Sequence, residues 1–555
     1  MKPKYCLVRV RATRRFFLPG ILATALALAW SVKSSQAQTL HWDSNDVTTG
    51  AGATPTGTWG TSTFWSTSAS GEAATAGWTS GGTAVFSAGS DAINAYTVTL
   101  SGTQTIGGLT VEEGTPTISG GTALALNAAS TPFNITGTAN IGSVISGTGF
   151  GLVKSGAGLL SLTGINTFTG KTSITGGTIS IAADSGLGAA PGAAVADQLT
   201  LDGGALRVTV GNQTLNANRG ITLGAGGGVI DSSSIVGAVT TTIGGVVAGT
   251  GPLTLQATGN MSSTGGGDGG LGLRLNQATN TFVGDVTITS GLVSYAHNLS
   301  FGDAANKIIL NGGGLLDNNA NIALARDIEV LAGGGTFRGY GSINVAWSGA
   351  ITGSGSINRT DGGTLTLSGN LSGYSGTYNN QGGNTTLTGT ASTIGGNWNL
   401  AAGTTTVNST ANQTLAGNLT GAGTFTKDGT GILTLSGTNN HTGNTTITAG
   451  TIRQGEANVV SFGGTLTVNG TGVYDLNGFN ASVGSLAGVA TGIVRDDAAG
   501  TGTTTLSLTN AGSIPTNIRN GATRTVALRA TNGNGAFLLT NGSNNFSGGI
   551  VLTNS

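Results

Sequence analysis

The stretch from Gly158 to Ile179 reads GLLSLTGINTFTGKTSITGGTI, and it returns from Gly431 to Ile452 as GILTLSGTNNHTGNTTITAGTI. The two copies align without a gap at a constant offset of 273 positions. Leucine or isoleucine alternates with polar residues in each short run, and glycine or asparagine separates the runs. A period of two predicts strands with one buried face, and glycine and asparagine favour tight corners. The stretch therefore predicts short strands joined by corners.

The spacing of the runs predicts a solenoid. Three runs fall between Leu160 and Ile181, which we interpret as strand, corner, strand, corner and strand in one turn. We predict an all-β fold, a single-stranded right-handed parallel β-helix with irregular turns of about 20–25 residues and on the order of 20 turns. A β-sandwich or a propeller is the alternative, but propeller blades need four longer strands over about 40–50 residues.

Weaker copies and the composition agree with stacked turns. Asn280–Gly284 (NTFVG), 362–376 (GGTLTLSGNLSGYSG) and 545–548 (NFSG) repeat parts of the pattern. Glycine accounts for 101 of 555 residues, and only 8% of residues are charged. In stacked turns like side chains lie over like, so threonine, serine and asparagine can form ladders whereas like charges repel.

The first 37 residues have the pattern of a secretory signal. They contain seven basic residues, no acidic residue, and an apolar core from Phe16 to Trp30 ahead of small residues at Ser35 and Ala37. We expect cleavage after Ala37, with an uncleaved anchor as the alternative. Residues 38–555 would then keep 15 basic against 22 acidic residues, a net charge of −7 that argues against nucleic acid as a partner. The one cysteine, Cys6, lies in the signal, so we expect no disulfide.

The two clear copies resemble the autotransporter-associated β-strand repeat, also called the passenger-associated transport repeat. The matching segments are KSGAGLLSLTGINTFTGKTSITGGTI from Lys154 and KDGTGILTLSGTNNHTGNTTITAGTI from Lys427, and the second departs from the pattern at His441. The resemblance implies a bacterial, exported, cell-surface β-helical protein whose repeats help it fold and cross the outer membrane.

The resemblance leaves the export route open. Many members carry a C-terminal β-barrel, and the last residues here, NNFSGGIVLTNS, do not show such a pattern. We expect the chain to end within a turn. The predicted organisation is a signal peptide at 1–37, a tryptophan-rich cap with the first turns at 38–139, and the repeat-bearing helix at 140–555.

Candidate chemistry is sparse. Gly164–Thr172 (GINTFTGKT) approaches a phosphate-binding loop, but it has one residue too many between its glycines, and the second copy replaces Lys171 by Asn444. The histidines at 41, 297 and 441 have no metal-ligand spacing. We therefore predict no nucleotide site, no metal and no cofactor.

Two acidic pairs keep an enzyme alternative open. A β-helical polysaccharide lyase or hydrolase would need carboxylates gathered on one face, and the candidates are Glu112–Glu113 and Asp496–Asp497, with Arg495 beside the second pair. Adjacent strand residues point to opposite faces, so we interpret both pairs as solvated corners. We predict no catalytic residue.

Four tryptophans, Trp42, Trp59, Trp65 and Trp78, precede the clear repeats. Large aromatic rings would cover the first turn of a solenoid, and a platform for sugars is the alternative.

We predict a non-catalytic structural or adhesin-like rod on the cell surface or secreted from a Gram-negative-type bacterium. The expected partners are an extracellular glycan or another cell's surface, with outer-membrane machinery for export. A glycan-binding module is a further alternative.

Overall fold

The computed structural model describes residues 38–553 except 237–238, 258–271, 318–321, 340, 342, 457–460 and 532–534. The predicted signal peptide lies outside this range. The described chain forms a parallel β-solenoid of about 20 turns, which confirms the predicted all-β class. Its handedness stays a prediction.

Seven sheets run along the described part of the solenoid, and they are named S1 to S7 by the position of their first strand. S1 contains Trp65–Ser66, Thr39–Trp42, Thr83–Phe86, Gly108–Val111, Thr131–Ile135, Leu152–Ser155, Thr172–Ile174, Val195–Leu201, Arg219–Leu223 and Val247–Gly249. S2 contains Gly57–Trp59, Ala95–Leu100, Thr115–Gly120, Thr138–Ile141, Leu159–Leu162, Thr178–Ile181, Gly204–Val208, Gly228–Asp231, Leu253–Gln256, Val286–Ser290, Ile308–Leu310, Ile328–Val330 and Ile351–Gly353. S3 contains Thr103–Ile106, Ala123–Leu126 and Ile145–Ser146.

The remaining four sheets continue the stack. S4 contains Thr214–Leu215, Thr240–Ile243, Gly272–Leu275, Leu292–Tyr295, Gly314–Asp317, Gly335–Gly339, Ile357–Thr360, Thr377–Asn380, Asn397–Leu400 and Leu419–Thr420. S5 contains Ala323–Leu324, Val345–Trp347, Thr364–Leu367, Asn384–Leu387, Thr404–Asn408, Thr424–Asp428, Thr445–Ile447, Ser461–Val468, Ala481–Gly488, Gly502–Leu508, Arg524–Ala530 and Ile550–Leu552. S6 contains Thr393–Ile394, Gln413–Leu415, Ile432–Leu435, Thr451–Gln454, Val473–Asp475, Ile493–Arg495 and Asn517–Ile518, and S7 contains Gly512–Ile514 and Phe537–Leu539. Among the described residues, 3₁₀ helices occupy Asp184–Leu187 and Asn298–Phe301.

Stacking is parallel, and each strand pairs with its counterpart one turn further along the chain. In the longest regular stretch of the solenoid, within S5, Thr364 stacks on Asn384, which is followed at the same interval by Thr404 and Thr424. These intervals agree with the predicted turn length, which is therefore confirmed for most turns. An antiparallel pair joins Thr39–Trp42 to Trp65–Ser66 at the N-terminal end of S1.

One detail of the predicted turn is wrong. The run at Ile179 does not complete the turn that begins at Leu160, because Leu160 and Ile179 stack directly on each other in S2. Alternation identifies which side chains face inward, but it does not identify the turn to which a strand belongs. One full turn therefore separates Leu160 from Ile179, and the third run already starts the next turn.

The core is a continuous column of inward-facing apolar side chains, most of them aliphatic. Leu160, Leu162, Ile179 and Ile181 are at most 1% exposed, and a single cluster of such residues extends from Leu40 to Leu528. Because each residue stacks on its counterpart in the next turn, burial in one turn supports burial in its neighbours.

Candidate functional site

A recurrent corner interrupts the described solenoid where a sheet ends, and we call four of these places the repeat corners. At each one a sheet ends and the next strand on that side is missing. S3 ends at Ile145–Ser146, S1 at Val247–Gly249, S2 at Ile351–Gly353 and S4 at Leu419–Thr420. The corners that follow contain Asn166, Asn280, Tyr374 and Asn439 respectively.

A buried asparagine takes the place of the missing strand in three of the corners. The Asn166 side chain accepts a hydrogen bond from the Ile145 amide at 2.8 Å, and its Nδ2 donates to the Gly186 carbonyl of the following turn at 2.8 Å. Asn280 makes the same two bonds to the turns before and after it. A buried backbone amide without a partner is costly. The asparagine side chain therefore supplies the hydrogen bond that the missing strand would otherwise make.

Asn439 repeats half of this arrangement. Its Oδ1 accepts from the Leu419 amide at 3.1 Å, while its Nδ2 donates to Gly437 within the same turn at 2.7 Å. In all three corners the asparagine is at most 4% exposed. Asn166 and Asn439 thus recur at equivalent positions because their side-chain amides form hydrogen bonds that a backbone peptide group forms in a complete sheet.

A buried lysine precedes each of the two clear copies. Lys154 Nζ donates to the carbonyls of Ser155 and Gly156 at 2.8 Å and of Gly176 in the next turn at 3.1 Å. Lys427 Nζ donates to Asp428 and Gly429 at 2.6 Å. Burial lowers the pKa of both ammonium groups to about 8.

An arginine replaces this lysine in the weaker copy at 362–376. Arg359 is 2% exposed and donates from Nη1 to the Thr360 carbonyl and from Nη2 to the Gly362 carbonyl, the latter at 2.8 Å. Sequence reasoning missed this residue, although its distance from Leu365 along the chain equals the distance of Lys154 from Leu160. A cation that holds the carbonyls of its own corner is therefore a third shared element of these turns.

An aromatic slot completes the corner. Phe168, Phe282 and His441 are fully buried, and Tyr374 is 3% exposed. His441 contacts the Gly423 carbonyl through Nε2 at 2.6 Å, and burial lowers its pKa. As its alignment with Phe168 predicts, His441 packs at the corner.

The glycines that recur in both copies allow the backbones of neighbouring turns to approach each other closely. A Cβ on Gly158 would lie 1.9 Å from the Gly137 carbonyl oxygen, and one on Gly443 would lie 1.9 Å from that of Gly423. Neither glycine has a positive φ, whereas Gly177 has a φ of 62°. The expectation that glycine is favoured at tight corners therefore explains Gly177 but not Gly158 and Gly443.

Two buried arginines hold the 3₁₀ helices that follow the first two corners. Arg219 donates to the Leu187 and Gly188 carbonyls at 3.0 and 3.1 Å and pairs with Asp184. Arg326 likewise donates to the carbonyls of the loop after Asn298–Phe301. These arginines were not identified from the sequence, because they lie a full turn away from the loops they hold.

The residues of the phosphate-loop alternative form a surface corner. Lys171 is exposed and its Nζ lies 2.6 Å from Asp197, and the strand Thr172–Ile174 follows where a nucleotide site would need a helix.

The acidic pairs are not brought together. Asp496 does not lie at the predicted solvated corner, because it is fully buried; it accepts hydrogen bonds from the Thr504 hydroxyl, from Arg524 and from the Ala498 and Gly478 amides, which together hold its pKa low. Asp497 pairs with Arg495 at 2.6 Å. Glu113 accepts from Ser87 in the preceding turn at 3.0 Å.

The histidines have separate surroundings. His41 is half-buried in the strand Thr39–Trp42, His297 caps a 3₁₀ helix, and His441 fills its corner. Within the described ranges no three His, Cys, Asp or Glu residues form a group that could hold a metal ion.

The tryptophans form one aromatic layer at the N-terminal end. Trp42, Trp59 and Trp65 are fully buried, and Trp78 is partly buried. Ring centroids are 4.6 Å apart for Trp65 and Trp78 and 4.9 Å apart for Trp59 and Trp65. The three buried rings present no free face on which a sugar could stack.

The fold and its repeat corners define a parallel β-solenoid that carries passenger-associated transport repeats. The passenger-associated-transport-repeat family matches residues 152–181 and 425–453, which include two of the corners. A stretch of 209 residues is 37% identical to the adhesin BmaC autotransporter of Brucella suis biovar 1 (strain 1330). This match covers 38% of the chain but only 6% of that protein. No solved structure matches the chain.

The described residues contain no helix with the length and apolar character that a membrane crossing requires.

Proposed function

We propose that the chain is a non-catalytic, adhesin-like passenger that is exported and displayed on the surface of a Gram-negative-type bacterium. The similarity to an autotransporter adhesin over 209 residues is the observation that carries this proposal. The two passenger-associated transport repeats support it, because they coincide with the corners where one sheet gives way to the next.

Surface display can be tested with an epitope in the loop at 189–194. This loop lies outside the strands, and a side chain at Gly192 would meet no atom within 4 Å. Antibody should label intact cells that produce the tagged full chain. Labelling that requires permeabilised cells would overturn the proposal, and a periplasmic marker protein serves as the control.

Adhesion is the activity that we assign to the displayed solenoid, with an extracellular glycan or another cell's surface as the partner. A strain that lacks the protein should adhere less to glycan-coated surfaces and host cells, and reintroducing the full chain should restore adhesion. Equal adhesion of both strains would contradict the assignment.

The carboxylates support the non-catalytic part of the proposal. Asp496 and Asp497 each pair with an arginine, and Glu113 accepts a hydrogen bond from a serine. These carboxylates therefore bind neighbouring residues of the solenoid itself. The purified chain should release no reducing ends from a panel of polysaccharides. Release that disappears in Asp497→Asn would establish the enzyme alternative.

We also propose that the tryptophan layer caps the first turns. Trp65 is fully buried and lies within 5.6 Å, between ring centroids, of Trp42, Trp59, Trp78 and Phe86. Trp65→Ala should lower the stability by about 3–5 kcal/mol and leave glycan-array binding by the folded protein unchanged. Lost glycan binding with unchanged stability would favour the sugar platform.

A further inference from the structure

We propose that one outward face of S5 is an ice-binding surface. This threonine face consists of two columns of side chains that repeat along six successive turns. The inner column contains Thr366, Thr386, Thr406, Thr426, Thr446 and Thr467. The outer column contains Thr364, Asn384, Thr404, Thr424, Asn444 and Thr465.

The register of S5 makes the array regular. Thr366 stacks on Thr386, Thr386 on Thr406, and each further threonine of the inner column on its counterpart in the next turn. Parallel strands lie about 4.8 Å apart, and residues two positions apart on one strand lie roughly 6.7 Å apart. The threonines therefore form a two-dimensional lattice with two fixed spacings.

The hydroxyl groups of the array are free to bind water. Within the part of the chain that the structure describes, the six inner-column hydroxyls have no hydrogen-bond partner, and their side chains are half-buried on the outside of the sheet. A threonine offers a hydroxyl and a methyl group, and its β-branch restricts χ1. The face is therefore rigid, uncharged and mixed in polarity.

The inward side of the same strands holds the array in place. The alternate residues Leu365, Thr405 and Phe425 are at most 2% exposed. Thr405 accepts from Asn380 Nδ2 at 3.1 Å, and Thr385 bonds to the Tyr378 hydroxyl at 2.7 Å. Because the strands are anchored from inside, little order must be gained when the outer face binds.

Ice is the ligand that this geometry fits. Water molecules on the prism face of hexagonal ice repeat in two perpendicular directions with spacings close to those of the array. Each threonine contributes only a weak contact, so binding requires many contacts to form at once, as they can when both surfaces have the same period. A dissolved sugar or a single ion offers no such repeat.

The outward columns of the neighbouring sheets S4 and S6 differ from the threonine face. In S4 the side chains of Asn358, Asn379 and Asn399 bond to one another at 3.0 and 3.1 Å. In S6 the column contains three threonines, Thr393, Thr414 and Thr434, but continues with Arg453.

Thr426 and Thr434 provide a matched pair for the test, since they lie on consecutive strands and face outward on S5 and S6 respectively. The fluorescently labelled full chain is included in a solution from which an ice hemisphere is grown, and the captured fraction is measured. We expect the wild-type chain to enter the ice. Thr406→Lys and Thr426→Lys should each reduce capture about tenfold, whereas Thr434→Lys should not.

Several results would overturn the proposal. One is exclusion of the wild-type chain from ice while its circular dichroism shows folded β-structure. Another is an equal loss of capture in Thr434→Lys, which would mean that the S5 face is not the binding surface. Wild-type self-association in sedimentation that Thr426→Lys abolishes, without ice capture, would assign the face to a second copy. Capture by crystalline cellulose or chitin instead of ice would assign it to a polysaccharide.

Discussion

The repeat corners and the threonine-rich turns of S5 both join successive turns of the solenoid, but they use different interactions to do so. From Thr364 to Asp428 the strands of S5 stack at a constant interval, and the backbone ladder of this sheet continues without a missing strand. At the corners of Asn166 and Asn439 a strand is missing on one side, and a side-chain amide, a buried cation and an aromatic ring replace it. A regular ladder tolerates many side chains, whereas an interrupted one demands particular residues. This is why the corners are the recognisable part of the sequence.

The largest effect is expected where two turns touch. Gly443→Ala would place a Cβ 1.9 Å from the Gly423 carbonyl oxygen, so the turns must separate. We expect a loss of about 3 kcal/mol in the free energy of unfolding, measured by urea denaturation. Gly192→Ala is the control, because its Cβ would meet nothing within 4 Å. Equal stability of the two variants would show that the turns can move apart freely.

One substitution in both regions compares a buried asparagine with an exposed one. Asn439→Thr removes the acceptor of the Leu419 amide inside a corner, and we expect a loss of about 1–3 kcal/mol. Asn384→Thr removes the acceptor of the Thr404 amide at an exposed position of the threonine face, where water can replace it, and should change stability by less than about 0.5 kcal/mol. If Asn384→Thr costs as much as Asn439→Thr in urea denaturation, the corner asparagine has no special role.

His441 should make one corner sensitive to acid. Burial lowers its pKa below the ordinary 6.5, so the unfolded chain takes up the proton first, and stability falls as pH decreases through about 6.5. His441→Phe, which restores the residue of the first copy, should remove a loss on the order of 1 kcal/mol between pH 7 and pH 5. The comparison is the urea midpoint of both proteins at the two pH values. Parallel pH profiles would contradict the buried, neutral imidazole.

The buried lysines should give the smallest effect. Their pKa of about 8 lies below the ordinary 10.5, so the unfolded chain binds more protons between these values, and stability should rise as pH increases from 8 to 10. We expect a rise on the order of 1 kcal/mol for each lysine. Lys154→Met with Lys427→Met should flatten this rise in urea denaturation, while Lys171→Met at the exposed salt bridge should not.

The sequence was informative where chemistry repeats locally. The alternation of Leu160 and Leu162 predicted inward-facing strands, and the return of Asn166 at 439 marked the corners. The sequence did not predict that Ile179 stacks on Leu160. The alternating pattern shows which face of a strand is buried, but not to which turn the strand belongs.

The two buried arginines escaped notice for a related reason. Arg219 and Arg326 bond to carbonyls that lie a full turn earlier in the chain, at Leu187 and Asp303. No local sequence pattern therefore identifies these arginines. The threonine columns, by contrast, were readable in principle, because positions 366, 386, 406, 426 and 446 recur at a constant interval.

The ends of S1 to S4 at the repeat corners have a consequence for how such chains change over generations. The corners of Asn166 and Asn280 present the same hydrogen-bonding pattern to the turn before and the turn after, although the sequences between them differ. Blocks of different length can therefore be inserted, lost or exchanged at these seams without a new interface having to arise. We expect relatives of this chain to differ mainly in the number of turns between corners, so that recombination, more than point substitution, sets the length of the rod.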